Sequence, residues 1–171
     1  MSELQALREE KDALFANHPQ SPLTPEQRRS FRGLKYFPEE PALRFEVDVD
    51  EFPTKEAIDM QTSTGDVQAY ERFGQIKFSV GGQEAALTIY RSENGYFLPF
   101  VDALAGKDTY PAGRYLEPES LPDGRFLIDF NQAYNPYCAY NELWSCPITP
   151  VENRLQVPIR AGEKLFSSKV T

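Results

Sequence analysis

The chain has 171 residues, 40% of them hydrophobic and 13% aromatic, and a formal net charge of −8 from 26 acidic and 18 basic side chains. That length carries one sizeable core rather than two, and no apolar run approaches the roughly 18 residues of a membrane-spanning helix. The acidic balance, with no Lys/Arg cluster, argues against a nucleic-acid partner, and the charged start MSELQALREEKDALF lacks an apolar signal core, so a soluble, cytoplasmic protein is expected.

In chain order, Ser2 and Gln5 form a capping box ahead of Leu4, Leu7, Leu14 and Phe15, which share one face at helical spacing. The helix they predict runs to about Asn17 and is stopped by Pro19. Thr24, Pro25 and Gln27 then supply an N-cap, a proline at the first helical position and a glutamine at the third, opening a short second helix that ends near Gly33. After Tyr36-Phe37-Pro38 the apolar spacing changes from helical to alternating.

Ser63-Thr64-Gly65-Asp66 is a turn between strands at Ala57 to Thr62 and Val67 to Phe73. Ile76, Phe78 and Val80 alternate with polar residues, Gly81-Gly82 can take positive φ, and Ala85, Leu87 and Ile89 resume the alternation. A two-residue turn there pairs Phe78 with Ala85 and Ile76 with Leu87, so that one face is apolar; a slip of one residue would destroy it. Asn94-Gly95 predicts a second hairpin that pairs Ile89 with Phe100, and Pro122-Asp123-Gly124 turns into a strand from Phe126 to Phe130. At least seven strands joined by short turns predict a mainly β fold. The expected form is an antiparallel meander closing into a barrel or a strongly bent sheet, since closure removes exposed edges. Two short N-terminal helices cap it, giving a single domain over 1–171: a helical cap at 1–35, a β-meander at 36–128, and a signature loop with an edge strand at 129–164.

That last segment holds both cysteines, the only tryptophan and four of the six asparagines. Asn135-Pro136, Cys146-Pro147 and Thr149-Pro150 forbid a long regular strand, yet Tyr134, Tyr137, Tyr140 and Trp144 are rings worth burying, so a long structured loop packed on the β-body is expected. Leu155, Val157 and Ile159 then alternate as a strand, which Pro158 confines to a sheet edge.

The motifs Asp129-Phe130-Asn131, Ala133-Tyr134-Asn135-Pro136, Cys138-Ala139-Tyr140, Ser145-Cys146-Pro147, Glu152-Asn153-Arg154-Leu155 and Ile159-Arg160-Ala161-Gly162-Glu163-Lys164 resemble the signature of the domain-of-unknown-function 1684 family. The likeness extends upstream through Phe100-Val101-Asp102, Gly106-Lys107, Tyr110 and Gly113-Arg114-Tyr115-Leu116, and through Phe31 to Pro38 at the front. The family is bacterial and archaeal. The resemblance places a site in the signature segment and implies no reaction.

The lone histidine, His18, lies far from that segment, which leaves histidine-dependent triads and zinc sites without their ligands; no metal and no cofactor is expected. Cys138 and Cys146, separated by seven residues, match neither a CxxC redox pair nor a zinc knuckle, and are read as structural: two packed thiols or one disulfide. The polar set Arg114, Tyr115, Asn131, Tyr134, Asn135, Asn153, Arg154 and Arg160, with Asp102 beside it, offers guanidinium forks, amides and rings suited to a small polar or anionic ligand. The competing role for these side chains is to satisfy the loop's own backbone. The expected function is a small-molecule-binding β-domain with its pocket under the 129–154 loop. Alternatives are a hydrolase or isomerase using Asp129 or Glu163 as general base with an arginine to hold an anion, or a scaffold protein without a pocket.

Overall fold

The computed structural model describes residues 2–166. Helix α1 spans Glu3–Asn17 and α2 spans Pro25–Ser30, and both open on the capping boxes that the sequence predicts. The strands are β1 (Arg44–Val47), β2 (Asp50–Glu51), β3 (Ala57–Gln61), β4 (Val67–Val80), β5 (Gln83–Ser92), β6 (Gly95–Phe100), β7 (Arg114–Leu116), β8 (Glu119–Ser120) and β9 (Phe126–Asp129). Their pairing is antiparallel throughout. The fold is therefore mainly β, but the strands form two sheets rather than the expected closed barrel: β2-β4-β5-β6-β7 with β3 also on β4, and β1-β9-β8.

The Gly81-Gly82 hairpin has the expected register, with Phe78 opposite Ala85 and Ile76 opposite Leu87. Both glycines take positive φ, 57° and 83°, which side chains with a Cβ rarely adopt. The next hairpin corrects the reading of Asn94-Gly95. Ser92 pairs with Gly95 and Tyr90 with Phe97, so the ladder continues with Leu98, not Phe100, across from Ile89. A turn centred on Asn94-Gly95 would need positive φ at both residues; only Gly95, at 114°, has it. The shift is two residues, so the apolar face is kept.

The stretches Val67 to Phe73 and Gln75 to Val80 form one long strand with an irregularity between Arg72 and Gly74. There β2 crosses so closely that a Cβ on Gly74 would lie 2.6 Å from a Val49 methyl and 2.8 Å from the Asp50 carbonyl. The glycine lets two short strands, β2 and β3, share one edge of β4.

Both sheets turn their apolar faces onto one core of Ile76, Phe78, Leu87, Ile89, Leu98 and Phe100 from one sheet with Phe126 and Ile128 from the other. Phe130 joins them: its ring lies 5.3 Å from that of Phe78 and 5.2 Å, edge-on, from that of Phe100. The opposite face of the larger sheet carries a second cluster of Met60, Tyr90, Phe97 and Tyr115. Helix α1 contributes only Phe15 to a buried position, against Tyr140 and Leu23. The leucines expected on its buried face do not follow: Leu7 and Leu14 remain 44% and 40% exposed.

From Phe130 onward the chain makes 3₁₀ turns at Phe130–Gln132, Tyr137–Ala139 and Val151–Asn153 and isolated bridges to the sheet ends, and the expected edge strand at Leu155 to Ile159 does not form. Val157 and Ile159 are buried as the alternation predicts. Leu155 and Val157 still bond the backbone of Val101 and Ala103, but from Ile159 onward the partners are side chains: the Asp102 carboxylate accepts the Ile159 N–H at 2.8 Å, and the Arg114 guanidinium donates to the Ile159, Ala161 and Glu163 carbonyls. An arginine fork here replaces a neighbouring strand.

Candidate functional site

On α1, residues 4, 7, 8, 11, 14 and 15 fall on one face at three- and four-residue spacing. That face lies beside Tyr36 and the start of the signature segment, and between them runs a cleft of about 400 Å³. Leu4, Leu7 and Leu14 form one wall; Tyr134, Tyr137 and Ala133 form the other. Exposed leucines that fail to reach the core thus line a cleft.

Glu163 lies at its floor, 2% exposed. Its carboxylate pairs with the Lys11 ammonium, accepts the Tyr140 hydroxyl, and accepts the Asn135 N–H at 3.3 Å. Burial, the Glu163 charge and that hydrogen bond push the Tyr140 hydroxyl well above its ordinary pKa, so it stays a donor. The Lys11 ammonium also lies 5.1 Å from the centre of the Tyr134 ring. Arg8, one turn earlier, stacks 4.5 Å over the Tyr36 ring and donates to the Phe37 carbonyl at 2.9 Å and the Asn131 carbonyl at 3.4 Å. Its Nε is buried without a partner, and among the described residues no carboxylate lies within ion-pair distance of it. Burial lowers the Arg8 pKa, with the charges of Tyr36, Glu39, Glu163 and Asp12 opposing. Tyr36 is itself raised, by burial first and then by Asp12, to which it donates at 3.1 Å.

Of the residues singled out from sequence, Glu163, Asn131 and Tyr134 line this cleft, and Asn135 reaches Glu163 with its backbone N–H while its side chain donates to the Lys164 carbonyl at 3.0 Å. Asn131 bridges to Glu40 in both directions, accepting its N–H at 2.8 Å and donating to its carbonyl at 3.0 Å. Asp129 caps the turn that follows it and borders a neighbouring hollow of about 290 Å³. Tyr134 donates to Glu117. Tyr115 donates to the Pro147 carbonyl, and burial above all raises its pKa.

Arg114 and Asn153 are placed elsewhere, fully buried and committed to backbone groups. Arg114, 3.8 Å from Asp102, has its pKa lowered to about 10 by burial, against the charges of Asp102 and Glu163. Arg154 and Arg160 are exposed, and neither lines the cleft. The residues that sequence reasoning missed are Arg8, Lys11, Tyr36 and Tyr140; for the first two the available signal was a pair of cations three residues apart within the leucine stripe of α1.

The two thiols are free, with Cys138 half-buried and Cys146 buried. The Cys138 N–H points at the Cys146 sulfur, 3.3 Å away. Cys146, with Trp144, Tyr137, Tyr134 and Lys11, lines a second hollow of about 470 Å³ that continues the cleft past the Tyr134 and Tyr137 rings. His18 caps α1 from the surface. No group of three or more His, Cys, Asp or Glu side chains among the described residues is arranged to hold a metal, and no helix among them is long and apolar enough to cross a membrane.

Fold and cleft together define a two-sheet antiparallel β-protein whose N-terminal helix lies across a charged, ring-walled hollow. The chain belongs to the family described as "protein of unknown function (DUF1684)", whose model matches residues 29–164. It is similar to an uncharacterised protein of Haloarcula marismortui solved in solution by NMR, at 39% identity over 95% of this chain and 92% of that one, with a TM-score of 0.71. No curated protein matches it.

Proposed function

We propose that the protein binds a small organic anion in the cleft between α1 and the signature segment. The observation that carries this reading is Arg8: a half-buried guanidinium with a buried, unpartnered Nε–H and no ion-pair partner among the described residues, set in a cleft with apolar and ring walls. The Lys11–Glu163 pair nearly cancels its own charge and Glu10 also lines the cleft, so the attraction is local to the Arg8 guanidinium, whose spare donor an acidic group on a ligand would satisfy. Leu4, Leu7, Leu14 and Tyr137 would cover the ligand's apolar body. The enzymatic alternative has less support, because Glu163 and Asp129 already spend their oxygens on internal donors.

The test is a thermal-shift screen with aliphatic and aromatic carboxylates and phosphate monoesters on the wild type, Arg8→Gln and Arg154→Ala. The expected outcome is a compound that stabilises the wild type and Arg154→Ala alike, with affinity for Arg8→Gln reduced about tenfold or more, the loss of roughly 1.4 kcal/mol of a charge-assisted contact. A screen without hits, or a hit with equal affinity for Arg8→Gln, would remove the proposal.

A further inference from the structure

Cys138 lies in the 3₁₀ turn Tyr137–Ala139 and Cys146 lines the hollow that continues the cleft, and the binding reading uses neither. Their surroundings are not those of two inert core thiols. The Tyr110 hydroxyl lies 3.8 Å from the Cys138 sulfur. The Ser63 hydroxyl accepts the Cys146 N–H at 3.1 Å and donates to the Trp144 carbonyl at 3.1 Å. The amides of Tyr137 and Cys138, at the start of a 3₁₀ turn, point at the Cys146 sulfur. A sulfur 3.3 Å from its partner's own amide is near enough for a disulfide without large backbone movement.

We propose that Cys138 and Cys146 form a peroxide-reactive dithiol, in which Cys138 is the attacking and Cys146 the resolving thiol. The two differ in the ways these roles require. Hydrogen bonds from Cys146 first, against the opposing effect of burial, and then from Tyr110 and Ser63 hold the Cys138 thiol down at about 6, whereas its hydrogen bond to Cys138 and burial push the Cys146 thiol up against the opposing pull of the Cys138 and Tyr137 backbone amides. Cys138 is also the more exposed of the two.

In the first step the Cys138 thiolate attacks one oxygen of a hydroperoxide. The S–O bond forms, the O–O bond breaks, and the departing alkoxide or hydroxide takes a proton from solvent, leaving Cys138 as a sulfenic acid. In the second step the Cys146 sulfur attacks the Cys138 sulfur, the S–O bond breaks, and hydroxide leaves as water with the Cys146 proton. The sulfurs together lose two electrons, and the peroxide gains them. The amides of Tyr137 and Cys138 stabilise the Cys146 sulfur as its proton departs. The disulfide would close a loop containing Trp144, whose ring packs edge-on against Tyr137 at 5.1 Å, so oxidation would be felt in the hollow that extends the cleft.

The experiment treats the reduced full chain with hydrogen peroxide and maps the products by intact mass and peptide mass spectrometry, with Trp144 fluorescence, the chain's only tryptophan signal, as the time course. The wild type should lose two hydrogens, yield a Cys138–Cys146 disulfide, and return to the dithiol with dithiothreitol. Cys146→Ser should stop at a sulfenic acid on Cys138 that a cyclic diketone traps, and Cys138→Ser should react roughly tenfold more slowly or worse. In the wild type, labelling of Cys138 by iodoacetamide should persist at neutral pH and fall away as pH drops through about 6. Intermolecular disulfides, two alkylatable thiols after peroxide, or equal rates for Cys138→Ser and wild type would each overturn the assignment. The mass measurement on the unmutated chain decides it even where a variant fails to fold.

Discussion

Replacing Asn153 with alanine removes a side chain that stands in for part of a β-ladder. Continuing the β5–β6 register places Thr88 opposite Pro99, and Pro99 has no N–H to give, so the pairing cannot continue there. Asn153, fully buried, fills the gap: its Oδ1 accepts the Thr88 N–H at 2.8 Å and its Nδ2 donates to the Thr88 and Pro99 carbonyls, each at 2.8 Å. Alanine would strand three buried backbone groups, each costing about 1–3 kcal/mol. With partial relief from water entering the vacated space, the expected loss is about 3–5 kcal/mol, a large part of a stability of about 5–15 kcal/mol. Asn153→Asp is the sharper form of the test. It keeps the shape and the acceptor but sets a carboxylate against two carbonyls, so it should cost at least as much as alanine. Urea unfolding followed by circular dichroism reads both as a lower midpoint at unchanged slope. A loss below about 1 kcal/mol for either variant would refute the view that this amide closes the sheet.

Arg114→Met should cost about 3–5 kcal/mol in the same assay, because it leaves the Asp102 carboxylate buried without its cation and three carbonyls without a donor. Adding Asp102→Asn should recover part of that loss, and strict additivity of the two would contradict the pairing. Glu152 gives a pH dependence. Burial works to raise its pKa, but hydrogen bonds from Arg72 at 3.0 and 3.1 Å and from Tyr90 at 2.6 Å outweigh it, and the net shift is downward. A depressed carboxylate contributes stability above its unfolded pKa and loses it as pH falls through the folded one. The stabilities of wild type and Glu152→Gln, compared by urea unfolding across pH, should therefore differ most at neutral pH, by about 1 kcal/mol or less for so exposed a pair, and converge in acid. A gap that widens in acid would reverse the assignment.

Where backbone and side chain obey the same local rule, the sequence reports the structure. Gly81-Gly82 fixes both a turn and a register, and Ser2 with Gln5 fixes a helix start. Where one pattern has two physical causes, it does not. The alternation Leu155, Val157, Ile159 reports burial, and a sequence cannot show that the hydrogen bonds from Ile159 onward come from Arg114 and Asp102 rather than from a strand. The apolar stripe of α1 is likewise ambiguous, since one spacing serves a core face or a cleft wall. For the candidate site, the signature segment points to Glu163, Asn131 and Tyr134 through its concentration of polar and ring side chains. Arg8 and Lys11 stand more than 100 positions away, and Lys11 meets Glu163 where Phe15 of the same helix packs edge-on against Tyr140.

The way α1 is attached has a dynamic consequence. One buried ring near its C-terminal end and the polar ties of Arg8, Lys11 and Asp12 hold it, while the strands beneath share a continuous apolar core. Segments with few buried apolar contacts open locally at free energies well below that of global unfolding. The wall that carries both cations is thus the part of the fold free to breathe on its own, and a molecule bridging that wall to the floor would draw its cooperativity from stilling the helix.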